Sequence, residues 1–253
     1  MTRQRPIRNF FKVAANFFLR PCDTLWFLGS YWRWQKISPD GWKASFGDIR
    51  TFLKDRHDSA GSAKGHYFLQ DIWAARKVRE YSPENHVDVG SRVDGFVSHV
   101  VCFCPVTYVD IRKLETGVPG LTGITGSVCE LPFPSKSVSS LSCLHVIEHI
   151  GLGRYGDPLD PDGWKKGLAE LQRVLKPGGR LLVGTPCGRS RVVFHAHRVF
   201  SPRMIVEEMP ELKLVEFAVI MDGAATSWID SAELGAHENL DYGCGLFVFQ
   251  RDE

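Results

Sequence analysis

Residues 86–111 read HVDVGSRVDGFVSHVVCFCPVTYVDI, and this stretch decides the fold. HVDVG (86–90) is an apolar strand closing on glycine, and residues 92–103 read as the helix that follows. VTYVDI (106–111) is a β-branched strand that ends at Asp110. A strand, a helix and a second strand at this spacing form the unit of a parallel sheet with right-handed crossovers. The alternation continues outward. Strands are expected at 120–126, 137–147, 180–186, 212–220 and 244–250. Helices are expected at 65–81, 161–179 and 202–210, with the Pro-Gly-Gly of 177–179 as the stop of the second. The sequence therefore predicts an α/β, doubly wound, mostly parallel sheet.

In such a sheet, ligands sit beyond the carboxyl ends of the strands, near the switch in strand order. Gly90 ends the first strand. A glycine there lets backbone approach a ligand, and the next helix offers free N–H groups. Asp110 ends the next strand, at the spacing from Gly90 where a carboxylate can accept two hydrogen bonds from a ribose diol. Together the pair points to an adenosine-type ligand. The run Gly90-x-x-x-x-Gly95 lacks the middle glycine of G-x-G-x-x-G, which counts against a dinucleotide site.

The segments DVGSRVDGF, YVDI, GITGSVCELPFPSKSVSSLSCLHVIEHI and LAELQRVLKPGGRLLVGTP occur in that order over residues 86–186. In this order they resemble a class I S-adenosylmethionine-dependent methyltransferase of the type 11-like group. QDIWAA, HVDVGSRVDGF, GLGRYGDPLDPDG and the terminal YGCGLFVF also resemble a smaller methyltransferase-like family found with surface-polysaccharide genes. The resemblance implies a Rossmann-like fold and S-adenosylmethionine as cofactor. It puts Asp88, Gly90 and Ser91 beside the methionine part of the cofactor. Asp110 would hold the ribose hydroxyls, with Ile111 against the adenine and Ser127 and Val128 at its edge. His145 would lie below the sulfonium. Two features depart from the family: Arg92 and Asp94 stand where glycines are usual, and Ser127 replaces an acidic residue. Arg92 would have to turn outward or pair with Asp94 to spare a cationic sulfonium.

Acceptors in this fold approach over the fourth and fifth strands. That brings His145, Glu148, His149, Tyr155, Asp157, Asp160 and Asp162 into range, with His195 and His197 further on. A sugar hydroxyl needs a general base near its proton. His149 is the first candidate, with Asp157 as the alternative and His145 beside them. No fixed ligand spacing indicates a metal. The leading expectation is O-methylation of a carbohydrate, such as a surface glycan, or of a related polar metabolite. Two other readings stay open: an NAD-linked nucleotide-sugar oxidoreductase, and a methyltransferase-like binding protein without activity.

Charge is unevenly placed along the 253 residues. Residues 1–60 hold 11 basic and 5 acidic side chains, and the remainder holds 20 and 24. The leader also carries 12 of the 29 aromatic residues. Residues 9–20 read as a basic amphipathic helix stopped by Pro21, so a peripheral membrane contact through residues 1–21 is one expectation. The chain is divided into a helical extension or cap (1–81) and a methyltransferase-like domain (82–253). The acidic-leaning body counts against nucleic acid as a partner, leaving a small-molecule or glycan acceptor. Seven cysteines without a C-x-x-C pair fit a reducing cytoplasm, at the inner membrane surface if the leader binds lipid. Oligomeric state is left open.

Overall fold

The structure, a computed structural model, describes residues 20–222 and 233–253. The leader helix expected at 9–20 lies outside the described residues but for Arg20. The chain forms two compact units, residues 1–62 and 63–253.

In the first unit Pro21 opens a helix. It sits in the first turn of α1 (Pro21–Ile37), where its missing N–H costs nothing and its fixed φ suits the helix. After α1 the chain folds back on it. The Gln35 amide clasps Ala44 in both directions (2.7 and 2.9 Å), and the Trp34 indole donates to the Trp42 carbonyl at 3.0 Å. Asp23 accepts from His57 at 2.7 Å.

The second unit begins with α2 (His66–Tyr81). The boundary thus falls between Ser62 and Ala63, not between 81 and 82. The physical reason is burial: Leu69, Trp73, Ala74 and Val78 of α2 belong to one of the two cores of the sheet unit. The strands are β1 (His86–Val89), β2 (Val106–Asp110), β3 (Leu121–Thr125), β4 (Val138–Leu144), β5 (Leu175–Cys187), β6 (Arg191–Val193), β7 (His197–Val199), β8 (Lys213–Met221) and β9 (Gly243–Gln250). Seven of them form one sheet in the order β3-β2-β1-β4-β5-β9-β8. The first five in that order are parallel to one another. β9 is antiparallel to both β5 and β8. The expected mostly parallel, doubly wound sheet is present, and its order reverses between β1 and β4.

Alternation along the central strands builds a core on each face. Phe247 and Phe249 of β9 join Leu141, Cys143, Leu181 and Val183 on one face. Leu246 and Val248 join Leu182, Phe96 and Tyr108 on the other. Helix α4 (Gly163–Val174) covers the first face with Trp164, Leu168, Leu171 and Val174 at helical spacing. Fully burying one such leucine is worth roughly 1.5–3 kcal/mol. The Pro-Gly-Gly expected to follow this helix lies within β5 instead, since α4 stops at Val174. The helix expected at 92–103 opens as a π-turn, Val93–Val97, and continues briefly in α3 (Ser98–Val100). Helix α5 (Pro202–Glu207) precedes β8. The small hairpin β6–β7 was not expected from the sequence.

Candidate functional site

A cleft opens beyond the ends of β1, β2 and β4. Its lining includes Val89 and Gly90, Val109 to Arg112, Gly126, Val128, His145, Val146, His149, Ile150 and Tyr155. Gly90 has φ +72°, and a Cβ there would meet Val146 Cγ2 at 3.0 Å. The turn therefore needs glycine both for its conformation and for the close approach of Val146.

Asp88 and Ser91 lie beneath this turn and do not line the cleft. Asp88 is fully buried and Ser91 nearly so. The Asp88 carboxylate accepts the Ser91 N–H at 3.0 Å and the Ser91 hydroxyl at 2.6 Å. It also accepts the Ser142 hydroxyl, while His86 bridges Ser140 and Ser142 at 2.8 Å each. Burial raises Asp88 to about 6, against the pull of its serine donors. Burial lowers His86 to about 3. These residues brace the glycine turn from below, so the placement of Asp88 and Ser91 beside a ligand is corrected to a supporting one.

Asp110 does line the cleft, and its carboxylate is engaged. Arg112 donates Nε to Oδ1 and Nη2 to Oδ2, both at 2.8 Å, and its backbone N–H reaches Oδ1 at 2.8 Å. Tyr108 donates its hydroxyl to Oδ2 at 3.0 Å. Burial would raise the Asp110 pKa, but the Arg112 and Tyr108 donors outweigh it and hold the carboxyl below its usual value. The Arg112 guanidinium also lies over the Tyr155 ring, 5.2 Å from its centroid. With Arg112 in this position the cavity measures about 80 Å³, well below the roughly 300–1,000 Å³ of small-molecule pockets. Ile111 and Val128 supply apolar walls. Ser127 does not reach the lining, and its hydroxyl accepts the Cys129 N–H at 3.1 Å.

A carboxylate at the end of β2, apolar walls at Val109, Ile111 and Val128, and a glycine turn at the end of β1 suit a nucleoside. Asp110 would take the ribose hydroxyls once Arg112 withdraws. Arg92 does not crowd the cleft. It pairs with Asp94 at 3.3 Å and lies over Tyr67.

The far wall of the cleft follows β4. His145 adopts φ +56°, a left-handed conformation that a side chain this bulky seldom takes. Its Nδ1 lies 2.7 Å from Glu148 Oε1 and its Nε2 lies 3.4 Å from Cys244 Sγ. Burial works against a charged imidazole, but Cys244 and Glu148 outweigh it and raise the His145 pKa well above its usual value. His149 donates from Nδ1 to the Ala196 carbonyl at 2.6 Å, in the turn of the β6–β7 hairpin. Arg154 donates to the same carbonyl at 3.0 Å. Arg198, buried on β7, donates to the Ile150 carbonyl at 2.6 Å and so holds the loop that carries Glu148 and His149.

Asp157 does not reach the cleft. Its carboxylate accepts the N–H groups of Gly151 (2.7 Å), Gly153 (3.4 Å) and Tyr155 (3.2 Å). It organises the loop, and the expectation of Asp157 as a base is corrected accordingly. Asp160 is likewise committed, to Lys166 and the Asp162 N–H. Sequence reasoning missed Arg112, Cys244 and Arg198. The signal for Arg112 was present in its position two residues after Asp110. Arg198 acts on backbone carbonyls and leaves no spacing to read.

Comparison with known proteins agrees with this architecture. A family model described as "Caenorhabditis protein of unknown function, DUF268" matches residues 135–210, less than half of the chain. No curated protein matches the chain in sequence. Solved structures do match in fold. The [4+2]-cyclase SpnF superposes with a TM-score of 0.52 at 12% identity, covering 72% of this chain and 81% of that one. A Burkholderia thailandensis 1,6-didemethyltoxoflavin-N1-methyltransferase, with bound 1,6-didemethyltoxoflavin and S-adenosylhomocysteine, gives 0.51 at 14% identity over 73% and 79%. An S-adenosylmethionine-dependent methyltransferase from Clostridium acetobutylicum gives 0.50 at 11% identity over 76% and 94%. The chain has the fold of the class I S-adenosylmethionine-dependent methyltransferases. No helix among the described residues is long and apolar enough to cross a membrane.

Proposed function

We propose that the protein is an S-adenosylmethionine-dependent methyltransferase that methylates a hydroxyl of a carbohydrate, such as a surface glycan, or of a related polar metabolite. The observation that carries the reading is the cleft itself. Gly90, Asp110 and Val128 meet at the strand-order switch of a sheet whose penultimate strand in order, β9, runs antiparallel. An all-parallel dinucleotide sheet lacks that feature, which disfavours the NAD-linked reading.

When bound, the cofactor supplies an electrophilic methyl group on a cationic sulfur. The chain's own residues hold and align. Asp110 would take the ribose hydroxyls, Ile111 and Val128 would flank the adenine, and the Gly90 turn would admit the methionine part. Aligning acceptor, methyl carbon and sulfur is the main catalytic task, because the electrophile needs little acid assistance. His149 keeps Nδ1 on Ala196, which leaves Nε2 free to take a proton from the acceptor. The glycan acceptor class follows the resemblance of the sequence rather than a contact in the cleft.

The Arg112–Asp110 pair gives specific support to a second reading, a binding protein of this fold that has lost its cofactor. Calorimetric titration separates the two. Binding of S-adenosylhomocysteine that Asp110→Ala weakens tenfold or more supports the enzyme. No binding at millimolar ligand by the folded protein supports the binding protein, and preferential binding of NADH would reject both.

A further inference from the structure

Glu148 carries a feature that the cofactor site leaves unexplained. Its side chain is 1% exposed, one carboxylate oxygen lies between two imidazoles, and the other, Oε2, is buried without a hydrogen-bond partner. Leaving a buried carboxylate oxygen unpartnered is costly, and in a native fold it calls for an explanation.

We propose that Glu148 is the positioning residue for the acceptor's proton: its carboxylate fixes His145 in place and backs His149, which takes that proton. The two imidazoles on the cleft are not equivalent. Both ring nitrogens of His145 are engaged, Nδ1 by Glu148 at 2.7 Å and Nε2 by Cys244 at 3.4 Å. Cys244 in turn faces Gln70 Oε1 at 3.6 Å. The resulting chain runs from Gln70 through Cys244 and His145 to Glu148 and leaves His145 no nitrogen with which to act as a base. His149 differs. Its Nδ1–H is committed to Ala196, so Nε2 carries the lone pair, and that nitrogen lies 3.7 Å from Glu148 Oε1. A proton arriving at Nε2 creates an imidazolium beside a carboxylate that is already in place.

The step balances. As the acceptor oxygen forms its bond to the methyl carbon, the carbon–sulfur bond breaks and its electron pair stays on sulfur. The acceptor's hydroxyl proton passes to His149 Nε2, and solvent later removes it. Other titratable and charged groups that face the pair are His66, Tyr67 and Asp71 of α2, Cys143 of β4, Arg154 of the loop, His197 and Arg198 of β7, and Tyr242 ahead of β9. An acceptor that is already an anion would gain nothing from this arrangement. A neutral hydroxyl that must lose a proton fits it.

The identity of the methyl donor rests on the reading above, but the ionisation of the two histidines is independent of it. Ring-nitrogen NMR of histidine-labelled wild type and Glu148→Gln, with S-adenosylhomocysteine titrated separately, tests the proposal. The expected result in wild type is a His149 with its ring proton on Nδ1 and a His145 carrying protons on both ring nitrogens. In Glu148→Gln the His145 ring should lose one of its two protons at neutral pH, because the carboxylate that holds its Nδ1–H at 2.7 Å is gone. Binding of S-adenosylhomocysteine should change less than threefold. A His145 ring that keeps both protons in Glu148→Gln, with the ligand still bound, overturns the inference alone, whereas no binding to either protein overturns the methyltransferase reading. Should Glu148→Gln fail to fold, the wild-type spectrum decides: His149 protonated on Nε2 contradicts the proposal.

Discussion

Arg112 grips Asp110 with two parallel hydrogen bonds of 2.8 Å, across the mouth of the cleft that a nucleoside would enter. The carboxylate proposed to take the ribose hydroxyls is thus held by the chain's own side chain. Arg112 is 65% exposed but the Asp110 side chain only 8%, so withdrawing the guanidinium from this bidentate contact costs more than the roughly 1 kcal/mol or less of a fully exposed pair.

Arg112→Ala should therefore strengthen binding of S-adenosylhomocysteine, by roughly fivefold or more. Calorimetry on the two proteins measures the ratio. Weaker binding by Arg112→Ala would mean that the guanidinium contacts the ligand instead of competing with it.

Gly90→Ala should destabilise the protein by about 1–2 kcal/mol from the left-handed conformation alone. The approach to Val146 adds to this. Urea unfolding measures the loss, and a change within experimental error would contradict the geometry of the turn. Pairing the substitution with Val146→Ala should recover part of the loss, because it removes the crowding but not the strain.

Acidification should act on the buried His86–Ser142–Asp88 network in two opposing ways. His86 has a folded pKa of about 3, below its unfolded value of 6.5, so the folded state binds fewer protons and stability is lost as pH falls below 6.5. Asp88 has a folded pKa of about 6, above 3.8, so its contribution is present at low pH and is lost as pH rises through 6. Between about pH 7 and about pH 4 the histidine removes on the order of 3 kcal/mol and the carboxylate returns about 2. Replacing His86 with Gln removes the first effect. The stability difference between wild type and His86→Gln should shift by about 3 kcal/mol in favour of the variant over that range. Parallel stability curves would refute the assignment.

Asp157→Ala should leave the fold intact and loosen residues 151–155, whose N–H groups its carboxylate holds. Hydrogen exchange at Gly151 and Tyr155 should accelerate at least tenfold. Unchanged exchange would show that the loop is held by something else, such as Arg198.

The sequence made the sheet legible because its central strands are continuous apolar runs bounded by glycine, and because Asp110 falls at a strand end. The same periodicity located α4 through Trp164, Leu168 and Leu171. Other features left no such trace. Ser91 and Ser127 resemble ligand-contacting residues by position, yet each spends its hydroxyl within the protein. Asp157 reads equally well as a base or as a turn, and only the direction of three N–H groups decides. Arg198 and Cys244 act on groups 37 residues or more away in sequence. The boundary between units moved because α2 is amphipathic toward the sheet, a preference that its sequence expresses but does not assign to a partner.

The most direct test of the central claim is a crystal structure grown with S-adenosylhomocysteine. The account predicts the nucleoside in the cleft beside Gly90, its ribose hydroxyls on Asp110, and Arg112 turned away from that carboxylate. A saturated crystal with Arg112 still closed on Asp110 and no nucleoside in the cleft would contradict it.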